Sequence, residues 1–232
     1  MEFETWEPVY EAILADFGFP RAADEQARDL LASLLAGQPT FEPDRLALED
    51  ERVAIAGAGP SLAAELDVVR DADAVLAAST AVDVLREAGV PVDCMVTDLD
   101  KNPRTVADLT AAGTPVAVHA HGDNRPALRA VVPDLEAAAV IPTTQAAPSP
   151  PVRNFGGFTD GDRAAFLADH LGAAELVFPG WDFDDPTLGP EKQRKLVWAE
   201  RLLYWLERRR GDQFAVLDGR RDAVVASVLP VG

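Results

Sequence analysis

This chain of 232 residues has a single cysteine and very few lysines. Cys94 lies inside an apolar run, cannot form an intrachain disulfide, and reads as a small core residue. No stretch approaches the roughly 20 consecutive apolar residues that span a bilayer. The opening residues, with Glu2, Glu4 and Glu7, lack the basic segment of a secretory leader, so a cytoplasmic location is expected. Three lysines (Lys101, Lys192 and Lys195) stand against eighteen arginines, and 39 Asp and Glu bring the net charge to −18. That surplus argues against nucleic acid, whose phosphates demand clustered Lys and Arg, and against anionic membrane surfaces. An acidic, lysine-poor surface suits a cytoplasm full of salt, where the Debye length shrinks to about 3 Å and like charges hardly repel. A halophilic source is the expectation.

What is present is a globular composition, 48% hydrophobic, in a length that allows one large domain or a domain with an appendage. Residues 1–46 read as a helical segment. Trp6, Val9, Tyr10, Ile13, Leu14 and Phe17 recur at helix spacing, and Phe17-Gly18-Phe19-Pro20 breaks the pattern. A second helix is expected from Ala22 to Leu35. Residues 47–232 read as one further domain, in which short apolar runs (Val53–Ala56, Ala74–Ala78, Val92–Val96, Val116–His119, Ala138–Ile141, Leu176–Phe178) alternate with helical patterns. Near-continuous apolar strands separated by helices indicate a mostly parallel sheet with helices on both faces, a Rossmann-like α/β fold. The tail, Phe214–Leu217 and Ala223–Leu229 around Asp218-Gly219, resembles an antiparallel edge hairpin.

In such a sheet ligands sit beyond the carboxyl ends of the strands, and the polar motifs fall there. Asp98 and Asp100 follow the third apolar run. If the strand continues through them, they share one face about 7 Å apart. Hard oxygen ligands of this kind suit Mg²⁺, which takes one or two carboxylates and completes its shell with water and phosphate; a solvated acidic turn is the alternative. Lys101 adds a point charge for phosphate oxygens. Gly57-Ala58-Gly59-Pro60-Ser61-Leu62, directly after the first run, would let backbone N–H groups approach an anion. Leu62 stands where a dinucleotide fingerprint needs a third glycine, and the second run ends in Ser79-Thr80 without an acid, which argues against a nicotinamide cofactor.

His119 and His121 share a face by the period of two and suit a transition metal, a phosphate or a buried backbone group. Asn154-Phe155-Gly156-Gly157-Phe158 reads as a mobile, apolar-faced loop able to stack a flat heterocycle. Thr159 followed by Asp162 resembles a capping box. In the helix from about Pro190 to Arg209, the inward stripe Ala199, Leu202 and Leu206 runs back through Lys195 and Lys192, which points both lysines toward an anionic site.

Taken in order, Gly57-x-Gly59-Pro60-Ser61-Leu62, Thr97-Asp98-Leu99-Asp100, His119-x-His121-Gly122-Asp123-Asn124, Asn154 to Arg163 and Gly180-x-Asp182-Phe183 resemble the archaeal 6-hydroxymethyl-7,8-dihydropterin pyrophosphokinases, over about Val53 to Trp205. The resemblance implies a sheet like that of the thiamine pyrophosphokinases. It also implies Mg²⁺-dependent transfer of diphosphate from ATP to the hydroxymethyl group of a dihydropterin, with AMP as the other product, in the making of folate-like or methanopterin-like coenzymes. Asp98 and Asp100 would hold the metal; Gly57, Gly59, Pro60, Ser61, Lys101 and Lys192 would bind phosphate oxygens; His119 or Asp123 would accept the substrate proton. Phe155 or Phe158 would stack the pterin and Asp160 or Asp182 would accept hydrogen bonds from its amino-pyrimidine edge, with Asn154 and Thr159 beside them. The expected partners are these small molecules, without nucleic acid or membrane; a homo-oligomer stays open. The rival readings are a metal-dependent phosphohydrolase built on His119, His121, Asp98 and Asp100, thiamine pyrophosphokinase itself, and a nucleotide-binding module without chemistry.

Overall fold

A computed structural model describes residues 1–225 and 229. Helices α1 (Phe3–Phe17) and α2 (Arg21–Leu34) come first. The helix-spaced stripe of Trp6, Val9, Tyr10, Ile13 and Leu14 is buried. Gly18 ends α1 by taking a left-handed conformation (φ 71°) and donating its N–H to the Leu14 carbonyl, and Pro20 leads into α2.

Then follow β1 (Arg52–Ala56), α3 (Leu66–Arg70), β2 (Ala74–Ala78), α4 (Ala81–Glu87), β3 (Cys94–Thr97), α5 (Pro103–Ala111), β4 (Val116–Ala120), α6 (Arg125–Val131), β5 (Val140–Thr144), α7 (Asp160–His170), β6 (Glu175–Val177) and α8 (Pro190–Arg210). The six strands form one sheet in the order β5-β4-β3-β2-β1-β6, parallel throughout. The expected α/β class is what the structure has.

Both faces of every central strand are covered, which is why the strands read as continuous apolar runs. Val53, Ile55, Leu76 and Val96 face α1, α7 and α8, meeting Trp6, Phe166, Trp198 and Trp205. Ala54, Ala56, Val75 and Met95 face α2 to α6, meeting Leu31, Val69, Leu85, Val106 and Leu128. Each such aliphatic side chain contributes about 1.5–3 kcal/mol on burial. The N-terminal helices are therefore built into the same two cores as the sheet: α1 into one, α2 into the other.

Three expectations need correction. β5 begins at Val140, after a 3₁₀ turn at Ala137–Ala139, and runs through Pro142. Proline cannot donate to a ladder, but β5 is an edge strand of the sheet, and the one β-bridge on its outer side among the described residues, Thr143 with Arg153, uses the Pro142 carbonyl as an acceptor and needs no Pro142 N–H. β3 pairs from Cys94 to Thr97 rather than from Val92. The edge hairpin does not form at Phe214–Leu217: Ala215–Leu217 and Arg221–Ala223 are 3₁₀ turns. This segment folds back on α8, where the buried Glu207 carboxylate accepts the Phe214 N–H at 2.6 Å and two Arg221 hydrogen bonds at 2.9 and 2.8 Å, and Phe214 packs on Phe178. Residues 226–228 of the second limb lie outside the described residues.

Strand order steps outward from β1 to β5 and then returns to β6 on the other side of β1. The reversal opens a crevice at the carboxyl ends of β1 and β6, the place where open α/β sheets bind ligands.

Candidate active site

A cleft of about 340 Å³ lies over the carboxyl ends of the strands, and the segments after all six contribute to its lining. They supply Gly57 to Gly59 after β1, Ser79 and Thr80 after β2, Asp98, Asp100 and Lys101 after β3, His121 to Asp123 after β4, Gln145 after β5 and Gly180 to Phe183 after β6. Phe19, Pro20, Ala23 and Asp24 from the N-terminal helices form a further wall.

β3 stops at Thr97, so Asp98 and Asp100 lie in the turn beyond it instead of on a continuing strand. Leu99 between them takes φ 67°, buries its side chain, and donates its N–H to Thr97 Oγ1 at 3.0 Å, which leaves both carboxylates facing the cleft. Asn102, at φ 35°, ends the turn, and Asp83 of α4 accepts hydrogen bonds from Asn102 Nδ2 (2.7 Å) and Thr105 Oγ1 (2.8 Å). Two non-glycine residues held left-handed by surrounding contacts mark a preorganised segment. Burial opposes ionisation of Asp98, but His121, 3.2 Å from its Oδ2, together with Arg163 and a hydrogen bond with the Asp100 side chain, holds its pKa well below the carboxylate range. Asp100 is pushed the other way, by burial and then by Asp98 itself. Two adjacent carboxylates in this state fit a hard divalent cation. Among the described residues no cluster of three or more His, Cys, Asp or Glu is arranged as a metal cage. That donor set matches Mg²⁺, whose remaining positions go to water and phosphate.

The β4 turn is built around Asn124, which the sequence motif contained but did not explain. Its amide donates to the Asp98 carbonyl at 2.7 Å and the His119 carbonyl at 2.6 Å and accepts the His121 N–H at 3.0 Å, stapling the ends of β3 and β4 together. Below it runs a buried polar chain. Asp24 accepts hydrogen bonds from Tyr10 Oη (2.8 Å), Gln145 Nε2 (2.8 Å) and the Gly122 N–H (2.7 Å); Gln145 Oε1 in turn accepts from Arg163 Nη2 at 3.3 Å. Arg163 also pairs with Asp160 at 2.9 Å. Burial, then the nearby Asp98, lifts the Asp160 pKa to about 7 against the pull of Arg163. Asp24, Gln145 and Arg163 were not singled out from the sequence, because nothing local distinguishes a buried Asp on a helix until the fold brings its donors to it.

His119 is not in the cleft. It is 1% exposed under the β4 turn, with Nδ1 3.0 Å from Thr143 Oγ1, and burial followed by the Arg163 and His121 charges lowers its pKa well below the ordinary value. His121, Gly122 and Asp123 are the members of that motif that line the cleft.

The glycine loop has a different role from the expected anion cradle. The Gly57 N–H donates to the Pro179 carbonyl (2.8 Å), the Gly59 N–H to the Gly180 carbonyl (2.9 Å) and the Ser61 N–H to Asp182 Oδ2 (2.9 Å). The donors a phosphate would take are thus spent on the β6 loop. The helical run after it is a 3₁₀ turn (Pro60–Ala64) and the five-residue α3, too short to build a strong dipole. The glycines are needed for approach: a Cβ on Gly59 would lie 2.3 Å from Asp182 Oδ2. Gly57 and Gly59 line the cleft; Pro60 and Ser61 are not among its lining residues.

The Asn154–Phe158 loop is packed rather than mobile. Phe155 to Phe158 are all buried, and Gly157, at φ 92°, sits against the Arg163 backbone where a Cβ would clash at 2.6 Å. Asn154 donates to the Ala146 carbonyl and accepts the Gly156 N–H, both at 2.8 Å, and Phe155 packs on His170, away from the cleft. Phe158 does line it, resting on Phe17. Thr159 and Asp162 form the expected capping box at the start of α7. Trp181 lies over Gly161 and donates its indole N–H to the Ile55 carbonyl at 2.8 Å, so its ring, like those of Phe19 and Phe183, forms a fixed apolar wall.

Ser79 was also overlooked. It is 7% exposed, holds φ 51° and borders the cleft, and its buried hydroxyl has no hydrogen-bond partner among the described residues. Lys192 and Lys195, at the start of α8, complete the lining, so all three lysines of the chain meet in this one cleft. Desolvation by its walls lowers the Lys192 pKa, with Asp160 opposing.

An all-parallel sheet with its polar side chains converging beyond the strand ends defines a Rossmann-like α/β protein with a strand-end ligand cleft. The chain belongs to the 6-hydroxymethylpterin diphosphokinase MptE-like family, whose profile matches residues 33–187. It is 41% identical to the 6-hydroxymethyl-7,8-dihydropterin pyrophosphokinase of Methanothermobacter thermautotrophicus over 90% of this chain and 96% of that protein. The proteins of the same name from Pyrococcus furiosus and Methanocaldococcus jannaschii are 37% and 32% identical, each over 89% of this chain and 95% and 96% of their own lengths.

Proposed function

We propose that this protein transfers diphosphate from ATP to the hydroxymethyl oxygen of 6-hydroxymethyl-7,8-dihydropterin. The observation that carries the reading is the meeting of Lys101, Lys192 and Lys195, the only lysines in a chain of net charge −18, with the Asp98–Asp100 pair in one cleft. A polyphosphate is the ligand that uses both groups. The substrate hydroxyl oxygen attacks the β-phosphorus of ATP, the bond from that phosphorus to the oxygen bridging it to the α-phosphate breaks, and AMP leaves with that oxygen. Such a transfer needs positioning and charge neutralisation more than covalent chemistry. The three lysines bind the phosphate oxygens, with the free Ser79 hydroxyl below them. Asp98 and Asp100 would hold Mg²⁺, which when bound supplies positive charge to those same oxygens. Asp123 accepts the hydroxyl proton as the transfer proceeds. The apolar wall of Phe158, Trp181 and Phe183 takes the flat face of the pterin, and Asp160 accepts from its amino-pyrimidine edge; Asp182 is already engaged by Ser61. The product serves folate- or methanopterin-type coenzyme synthesis, in the cytoplasm of a cell rich in salt, which the acidic surface favours.

The test is phosphorus NMR of ATP with the protein, Mg²⁺ and candidate acceptors. AMP and a pterin diphosphate should form together and only with the hydroxymethyl pterin present. Phosphate or ADP release with water as sole acceptor would replace this reading with a phosphohydrolase, and AMP release dependent on thiamine would move it to the related kinase.

A further inference from the structure

On the side of β4 that faces α7, two buried polar atoms lack partners: Nε2 of His119 and Nε of Arg163. The side chains are 1% and 7% exposed. Both line one small void outside the cleft, together with Thr143, Val96, Phe155 and Leu167. The space open to the centre of a water molecule there is about 10 Å³, close to what a single water occupies.

The hydrogen-bond polarities around the void are complementary. Thr143 Oγ1 donates to the Val118 carbonyl at 3.2 Å, so its lone pair faces the His119 Nδ1–H at 3.0 Å. His119 is then the Nδ1–H tautomer, and its Nε2 is an acceptor. Arg163 spends Nη1 on Asp160 (2.9 Å) and Nη2 on Gln145 (3.3 Å), which leaves Nε–H as a donor. One unmet acceptor and one unmet donor on a void of this size are what a bridging water joins. Left unmet, each would cost about 1–3 kcal/mol.

We propose that one ordered water fills this void, accepting from Arg163 Nε–H and donating to His119 Nε2, and that His119 is thereby a positioning residue for the guanidinium that holds Asp160 in the cleft. The position of the water stands on the geometry alone. Its kinetic consequence rests on the proposed reaction.

Two variants separate this role from simple packing. His119→Asn keeps an amide donor toward Thr143 but has nothing at the Nε2 position. His119→Gln returns an acceptor near that position and gives up the Thr143 contact. In an atomic-resolution crystal structure of the wild-type protein, density for one water should bridge the two nitrogens. In ¹H–¹⁵N spectra the Arg163 Nε–H should be protected from exchange in the wild type and in His119→Gln, and exchange at least about tenfold faster in His119→Asn. The turnover number should fall about tenfold in His119→Asn with KM for ATP unchanged, and recover to within about twofold in His119→Gln. An empty void, direct contact of Arg163 Nε with the imidazole, or unaltered Arg163 exchange in His119→Asn would overturn the proposal. If the wild-type protein transfers nothing to the pterin, the reaction falls and the density and exchange measurements still decide the water. If His119→Asn does not fold, the wild-type density decides alone.

Discussion

Gly57 and Gly180 lie back to back where the strand order reverses: a Cβ on Gly57 would sit 2.4 Å from the Gly180 carbonyl oxygen, and one on Gly180 would sit 2.3 Å from the Gly57 carbonyl oxygen. The β1 and β6 loops close on each other through bare backbone, and that contact sets the depth of the cleft at its switch point. Gly57→Ala and Gly180→Ala should each destabilise the protein by about 1–3 kcal/mol, the usual cost of overpacking a tight contact. Gly180→Ala should cost more, because Gly180 also holds φ 75°. Gly189→Ala, whose added methyl meets nothing within 4 Å, is the control. Urea denaturation reads all three, and equal stability of Gly57→Ala and Gly189→Ala would mean that the loops relax freely.

The N-terminal helices contribute to the site through one carboxylate. Asp24 is 4% exposed and accepts from Tyr10, Gln145 and Gly122. Asp24→Ala strands three buried donors and should cost about 2–4 kcal/mol. Because one of those donors belongs to the β4 turn, activity should fall further than the loss of folded protein explains. Tyr10→Phe removes a single partner and should cost about 1 kcal/mol with turnover retained. Denaturation midpoints and turnover, measured side by side on both variants, check this; an Asp24→Ala protein as stable as the wild type would show that the chain of hydrogen bonds carries no weight.

Periodicity and strand-end placement made the sheet legible in the sequence, because every central strand is buried on both faces. Asp98, Asp100 and the inward lysines were legible too, since their types and positions are unusual for what surrounds them. The failures share a cause. His119 and His121 looked equivalent at a spacing of two, but β4 ends between them at Ala120, so one side chain points under the sheet end and the other over it. The glycine loop resembled a phosphate cradle because a close approach of two backbones and an approach to an anion demand the same residue. Phe155 and Phe158 flank a glycine pair symmetrically in sequence, yet only one faces the cleft. Asp24 and Gln145 carry no local signal, being 121 residues apart along the chain.

Asp160 gives the site a pH signature. Its folded-state pKa, about 7, lies above the ordinary 3.8, so the fold favours the neutral acid. The stability this contributes is complete below about pH 4 and is lost as pH rises through about 7. Asp160→Asn cannot ionise. Its melting temperature relative to the wild-type protein should therefore climb between about pH 4 and pH 7, whatever the offset at the acid end, and level off above that window. Thermal melts of both proteins without ligands across that range are the measurement, and a flat or falling difference contradicts the assignment.

Asp98→Asn and Asp100→Asn should each lower the turnover number by about 10²-fold or more, the usual cost of removing a metal ligand's charge. The Asn102 and Thr105 contacts to Asp83 are untouched by either change, so the β3 turn should stay folded. Asp98→Asn should lower the melting temperature near pH 7, because it removes a carboxylate that His121 and Arg163 hold ionised, whereas Asp100→Asn should leave it unchanged or higher. Mn²⁺ added to crystals should give an anomalous peak between the two carboxylates in the wild type and none in the double variant. Near-normal rates in both single variants, or a peak elsewhere, would remove the metal from this turn.

Salt should stabilise this protein strongly. At −18 the folded chain concentrates like charge on a compact surface, and self-repulsion opposes folding at low ionic strength. Raising salt from about 0.1 M to 1 M shortens the Debye length from about 10 Å to about 3 Å and removes most repulsion between exposed carboxylates. The lysine distribution points the same way. Outside the cleft every Lys or Arg charge is an arginine, whose weakly hydrated, bidentate fork keeps carboxylate pairs such as Arg221–Glu207 intact where an ammonium would be more easily drawn into water. The melting temperature should rise continuously with KCl into the molar range, while the inward pairs, Arg163–Asp160 among them, lose little because they are shielded from the added ions. A protein equally stable in dilute buffer and in molar KCl would refute both the repulsion and the high-salt setting inferred from it.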